Sequence, residues 1–113
     1  MRVHSSTGKA AGPFTTIASG EAINVPDDLV VVNDGSVFVA GPLAAPMGDT
    51  LQHISLEGEV STVAQGGVVA GSTAPTFGKN KNDKNVIYLS TMGGFGADGL
   101  PKSGGRVVAV KLE

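Results

Sequence analysis

Two adjacent carboxylates, Asp27 and Asp28, stand directly ahead of a run of aliphatic residues, Leu29-Val30-Val31-Val32. Acidic groups on a loop that enters a strand are placed to ligate a hard cation or to exchange a proton with a bound molecule. The same residues have a purely structural use, which is to accept hydrogen bonds from nearby backbone N–H groups and fix the turn. His53 is a candidate general base near neutral pH. It lies, however, within Leu51-Gln52-His53-Ile54-Ser55-Leu56, where apolar and polar residues alternate, and His4 holds a similar place near the amino terminus. That repetition argues for sheet packing or a surface position. The stretch Thr91 to Pro101 is glycine-rich but lacks the spacing and the Lys-Ser/Thr ending of a phosphate loop. Thr91, Met92 and Phe95 within it, and Thr76 and Phe77 further upstream, are the candidates to line a pocket. No serine sits in a nucleophile-elbow sequence.

The elements that must hold these residues are strands. Asn33-Asp34-Gly35-Ser36 separates Leu29–Val32 from Val37–Ala40, and predicts a hairpin closed by a two-residue Asp-Gly turn. Both flanking runs are short, and neither alternates cleanly, as in a sheet covered on both faces. Further strands are expected at 2–5, 14–18, 51–56, 60–64, 86–91 and 106–112, with turns at Glu57-Gly58 and through Lys79–Lys84. Residues 41–49, with Pro42 and Pro46, form a connection that cannot be a helix interior. No stretch keeps a helical period over three turns.

Composition narrows the choice. Gly and Pro together make 23 of 113 residues, well above the average of roughly 12%, so turns are frequent. Hydrophobic content is 41%, enough for a core. With four Phe, one Tyr and no Trp, that core must rest on Val, Ile, Leu and Ala. A net charge of −2 gives no electrostatic footprint for nucleic acid or an anionic membrane, and Lys79–Lys84 reads as a solvated loop. The absence of cysteine excludes disulfides and thiol chemistry. No apolar segment reads as a signal peptide or a membrane span, so a cytoplasmic location is the default expectation.

The strands also repeat. Phe14-Thr15-Thr16-Ile17-Ala18 matches Val60-Ser61-Thr62-Val63-Ala64 at an offset of 46 residues, and Arg2-Val3 resembles Arg106-Val107. A period in the middle forties with four short strands per unit is that of a β-propeller blade. The expected fold is therefore all-β, a propeller fragment of about two and a quarter blades. Residues 2–18 form a partial blade, 28–64 a complete one, and 72–112 the first three strands of another. So few blades cannot close. A truncated product, an excised piece and a subunit of a homo-oligomeric ring are the alternatives; in the last, three copies would make six blades, the amino-terminal strand of one completing the last blade of the next.

In order along the chain, Pro26-Asp27-Asp28, Asp34-Gly35, Phe77-Gly78-Lys79, Val86–Thr91 with Gly93-Gly94, and Gly104-Gly105-Arg106-Val107-Val108-Ala109-Val110 form a recognisable series. It resembles the carboxy-terminal part of the six-bladed propellers of the regucalcin and gluconolactonase superfamily, over roughly residues 14–112. Within that group it is similar to a fungal NHL-repeat-like branch, which carries Asp-Asp where lactonases carry Asp-Gly. The resemblance implies an enzyme of secondary metabolism, a hetero-Diels–Alderase joining a quinone methide to an alkene. Asp27 and Asp28 would then orient or polarise the substrate, and Thr76, Phe77, Thr91, Met92 and Phe95 would shape the pocket. The second reading is a lactonase with Asp27 on a divalent cation such as Ca²⁺, provided other blades supply the remaining ligands. The third is a non-catalytic interaction module. The implied partner is a small apolar molecule or a lactone, and the apolar Thr73–Phe77 segment suits the first.

Overall fold

The structure, a computed structural model, describes residues 4–23, 25–41 and 49–113. Residues 1–3, Asn24 and the Pro42–Gly48 part of the expected connection lie outside the described residues. The chain is all-β. Strands β1 (Asp28–Val31), β2 (Val37–Gly41), β3 (Thr50–Ile54) and β4 (Val60–Gln65) form one antiparallel sheet in that order. Strands β5 (Ser72–Phe77), β6 (Val86–Thr91) and β7 (Arg106–Lys111) form a second, three-stranded antiparallel sheet. A 3₁₀ turn, Gly67–Val69, lies on the connection between them.

The central hairpin forms where Asp-Gly was expected, with a longer loop. The Val32 N–H donates to the Ser36 carbonyl at 2.8 Å and the Gly35 N–H to the Val32 carbonyl at 2.9 Å, so three residues turn the chain. Only Gly35 takes a positive φ, 94°. Asp34 needs none, because its carboxylate accepts from the Ser36 N–H at 2.8 Å and the Ser36 hydroxyl at 2.7 Å. A three-residue loop ending in a left-handed glycine is the next commonest hairpin connection after the two-residue ones.

Three expectations are corrected. Phe14–Ala18 is not a strand in this structure; it runs as coil, with Phe14 85% and Ile17 62% exposed. A strand persists only where a neighbour takes up its backbone groups, and no described strand pairs with this one. His4 and Ser5 also open a turn, in which the His4 carbonyl accepts from the Thr7 and Gly8 N–H groups. The apolar–polar alternation over 51–56, the pattern of a half-exposed strand, does not place its first polar residue in solvent. Gln52 is buried, and its side-chain amide donates to the Ala22 carbonyl at 2.8 Å.

The two sheets pack face to face. Phe38, Ala40 and Leu51 of the first meet Ile87 and Leu89 of the second, with Val69 from the connection. The reverse face of the first sheet buries Val37, Val39 and Ile54 under Ala18 and Ile23. The hairpins correspond residue by residue. The Val32-to-Ser36 hydrogen bond recurs as Gly78-to-Val86, and the pairs Val37↔Ile54 and Phe38↔His53 recur as Ile87↔Val110 and Tyr88↔Ala109. Ile87 and Leu89 therefore correspond to Val37 and Val39, not to Phe38 and Ala40. One sheet presents its front to the other's back, a head-to-tail stack.

Asp49 ties the stack together. It is 8% exposed and holds a left-handed φ of 65°, a conformation Asp tolerates better than most residues. Its carboxylate accepts from the Gly71 N–H at the entry to β5, and its carbonyl accepts from the Gly66 N–H at 2.8 Å. Replacing Asp49 by Ala strands that buried N–H, and the unfolding free energy should fall by roughly 1–3 kcal/mol. Asp49→Asn, which keeps an acceptor, should lose less. Urea denaturation of the two variants beside the parent checks this order.

Candidate functional site

The register separates the sequence-selected residues into two groups at opposite ends of the sheets. Asp28 starts β1, paired with Ala40, and the Asp27 N–H donates to the same Ala40 carbonyl at 2.8 Å. Both acidic residues are exposed. One carboxylate oxygen of Asp28 accepts from the Leu29 N–H at 2.8 Å, which is the turn-fixing use of such a residue. Thr91 ends β6 opposite Ser72, the start of β5, so it belongs to this end as well. Its hydroxyl is buried and, like that of Thr50, has no hydrogen-bond partner among the described residues. Met92 follows, 36% exposed, its N–H donating to the Gly71 carbonyl at 2.9 Å.

Phe95 is held within its own loop. It bridges to Pro101, while the Gly96 N–H donates to the Leu100 carbonyl at 2.8 Å and the Lys102 N–H to the Gly94 carbonyl at 2.9 Å. The glycine-rich segment is thus a folded excursion whose backbone groups are largely satisfied internally. A Cβ at Gly93 would strike the Ser103 carbonyl, so no side chain fits there; one at Gly94 would make a tight 3.1 Å contact with the Ala70 Cβ, at a φ of 73° that itself disfavours a side chain.

Thr76 and Phe77 lie at the far end of β5. From Asp28 to Val31, β1 spans about 10 Å at 3.3 Å per residue. Beside that far end the two sheets leave a cleft of about 390 Å³, lined by Val30, Val31, Asn33, Thr76, Phe77, Gly78, Lys79 and Lys84. Its size falls in the range of small-molecule sites. Val30, Val31 and Phe77 make the apolar part, and Phe77 is braced edge-on against Phe38 with ring centres 6.0 Å apart. Asn33 and Thr76 add neutral polar groups, and the only charges in the lining are two exposed lysines. Of the residues chosen from sequence, the structure brings only Thr76 and Phe77 to this cleft.

Sequence reading took the Lys79–Lys84 loop as solvated surface and so missed both lysines. The available signal was Asp83. One oxygen of its carboxylate accepts from the Asn80 N–H at 2.7 Å, and the other from the Tyr88 hydroxyl at 3.2 Å. A Cβ at Gly78 would collide with Asp83, so glycine there lets the loop fold back over the end of β5. Lys79 and Lys84 are positioned by that fold. His53, the candidate base, packs its ring 4.8 Å from the Phe38 ring and is half-buried in the sheet.

The fit to a metal is poor. Among the described residues no three His, Asp or Glu side chains gather to hold an ion. Asp27 and Asp28 alone fall short of the six to eight oxygens that Ca²⁺ takes.

Compared with known proteins, the chain matches no family model and no curated protein.

Tyr88 reports on the cleft loop. The negative charge of Asp83 raises its phenol pKa above the ordinary value, helped by partial desolvation and by the hydrogen bond. The folded chain therefore keeps this proton to a higher pH than the unfolded chain. The stability it contributes is complete below the unfolded phenol's pKa and is lost as pH rises through the folded one. Tyr88 is the single tyrosine, so ultraviolet titration of tyrosinate reads it alone. The midpoint should lie above about 10 and move down in Asp83→Asn.

Proposed function

We propose that the chain is part of a propeller-type protein and that the cleft between β1 and β5 binds a small, largely apolar molecule carrying an anionic or strongly polar group. The observation that carries this reading is the composition of the cleft, in which Val30, Val31 and Phe77 stand beside Lys79 and Lys84 with no acidic residue. An apolar body gains from contact with the first set, and an anion from the second. Head-to-tail stacking of sheets that repeat in register supports the propeller reading.

The enzymatic version is the one the resemblance implies, the joining of a quinone methide to an alkene. Such a reaction gains from holding two partners in a near-attack arrangement and needs no proton transfer from the protein. A cleft without an acid–base pair is compatible with it. The lactonase version has less support, because Asp27 and Asp28 stand at the other end of β1 and gather no further ligand.

The test is binding of anilinonaphthalene sulfonate, a fluorescent aromatic anion, by the parent and its variants. Lys79→Ala and Lys84→Ala should each weaken binding by roughly 1.4- to fivefold, matching the roughly 0.2–1 kcal/mol of an exposed ion pair. Thr76→Trp, which fills the cleft, should abolish it. Loss of binding in Asp27→Asn, with the lysine variants unchanged, would put the ligand at the opposite end and overturn the reading. The catalytic version is separated from plain binding by whether the chain alters the stereoisomer ratio of the adduct from a quinone methide and an alkene.

A further inference from the structure

The stack leaves a matched pair of unused surfaces. The first sheet has four strands and the second three, so the far edge of β7 pairs with no described strand. The face of the second sheet that corresponds to Phe38, Ala40 and Leu51 consists of Tyr88, Ser90 and Val107, and Val107 is 76% exposed. In the first sheet the corresponding face is the one buried in the core.

At the other end of the chain a complementary piece stands by itself. Phe14–Ala18 has the sequence pattern of β4 at an offset of 46 residues, but no strand beside it. Its surroundings repeat as well. Ala18 and Ile23 pack on Val37 and Val39 at the back of the first sheet. Ala64 and Val69, at the same offset of 46, pack in the cluster of Ile87 and Leu89 at the back of the second. Residues 14–23 therefore sit on the first sheet as β4 and the 3₁₀ turn sit on the second. They are the end of a sheet whose other three strands this chain does not place next to them.

We infer that the edge of β7 and the open face beside it receive a second copy of this chain, whose Phe14–Ala18 segment pairs antiparallel with β7 as the fourth strand. The register follows from β3 and β4. Ile54↔Val60 and His53↔Ser61 translate into Val110 opposite Phe14 and Ala109 opposite Thr15. No segment has to be displaced. Phe14 and Ile17 lose their exposure, and the second copy's first sheet presents its back to Tyr88 and Val107, repeating the junction already made within one chain. The contact is heterologous, so it closes into a ring or continues as an open stack.

The chain has no cysteine, which makes a cross-linking test clean. T15C and A109C are made as separate variants and mixed under mild oxidation. Directly opposed residues of an antiparallel pair lie within reach of a disulfide. The expected product is a mixed dimer of one T15C and one A109C chain, formed several-fold faster than either homodimer and identified by mass. In parallel, light scattering of the parent should give an integer multiple, above one, of the 11.3 kDa chain mass. Thr16→Pro, placed in an exposed coil where it leaves this chain's own sheets intact, should return the mass to that of a monomer by removing an N–H from the incoming strand. A parent that stays monomeric overturns the inference and leaves β7 to a strand of another chain. A multimer that ignores Thr16→Pro, or gives no mixed dimer, overturns it equally, since the copies would then meet elsewhere.

Discussion

The burial of the front of one sheet against the back of the next is the contact on which the rest of this structure depends. A three-stranded antiparallel sheet of short strands is marginal in water unless one face is covered. Here β5 lies against β1 and β2, and Ala40, Leu51, Ile87 and Leu89 are wholly buried between the sheets. With few aromatic residues to supply area, this junction is built mainly from aliphatic side chains, and Phe38 and Phe77 span it as an edge-to-face pair. Without the stack, the second sheet would have both faces in solvent, as its outer face already is at Val107.

The stack also imposes a crossing. The chain must leave β4, the outermost strand of the first sheet, and enter β5, the innermost of the second, within Gly66–Gly71. Positive φ at Gly66, Gly67 and Gly71 makes so short a path feasible. At Gly71 a side chain is excluded outright, since its Cβ would lie 2.6 Å from the Gly94 nitrogen. Asp49 holds both ends of this crossing, one by its carboxylate and one by its carbonyl. That end of the molecule is consequently closed and crowded. Among the described residues no chain crosses between β1 and β5 at the opposite end, and the cleft opens there. The position of the candidate site is thus set by the side on which the connection runs.

Much of the fold was legible because short-range chemistry decided it. Asp34-Gly35 and Glu57-Gly58 marked turns, and Val-rich runs marked strands on either side of them. The strand at 14–18 was legible as a pattern but does not form, because pairing needs a neighbour that local sequence does not supply. The candidate site was legible only in part. Thr76 and Phe77 reach the cleft because they belong to an inner strand at its open end. Asp27, Asp28, Thr91, Met92 and Phe95 were grouped with them by their nearness to inner strands, and the register sends them to the other end. Lys79 and Lys84 looked like surface because their positions are fixed by contacts of Asp83 across several residues, a long-range feature hidden in a polar run. Asp49 was passed over for a similar reason. Its partner Gly71 is 22 residues away, and an Asp ahead of a strand has many local uses.

The repeat links the cleft to the open edge. Asn33 corresponds to Lys79 at the offset that relates Val31 to Phe77, so the groups lining the cleft at the front of β1 have equivalents at the front of β5. In the assembly inferred above, a second copy places its own β1 beside β5. A second cleft then forms between copies, with Thr76, Phe77 and Lys79 on one side and Val30, Val31 and Asn33 of the incoming chain on the other. Thr76, exposed in the single chain, becomes a wall shared by two neighbouring clefts. A ligand seated there would touch both copies, so binding and association would favour one another by the same free energy in each direction. Lys79 sets the sign of the ligand in both places, because it lines the first cleft just beyond the end of β5 and belongs to the wall of the second.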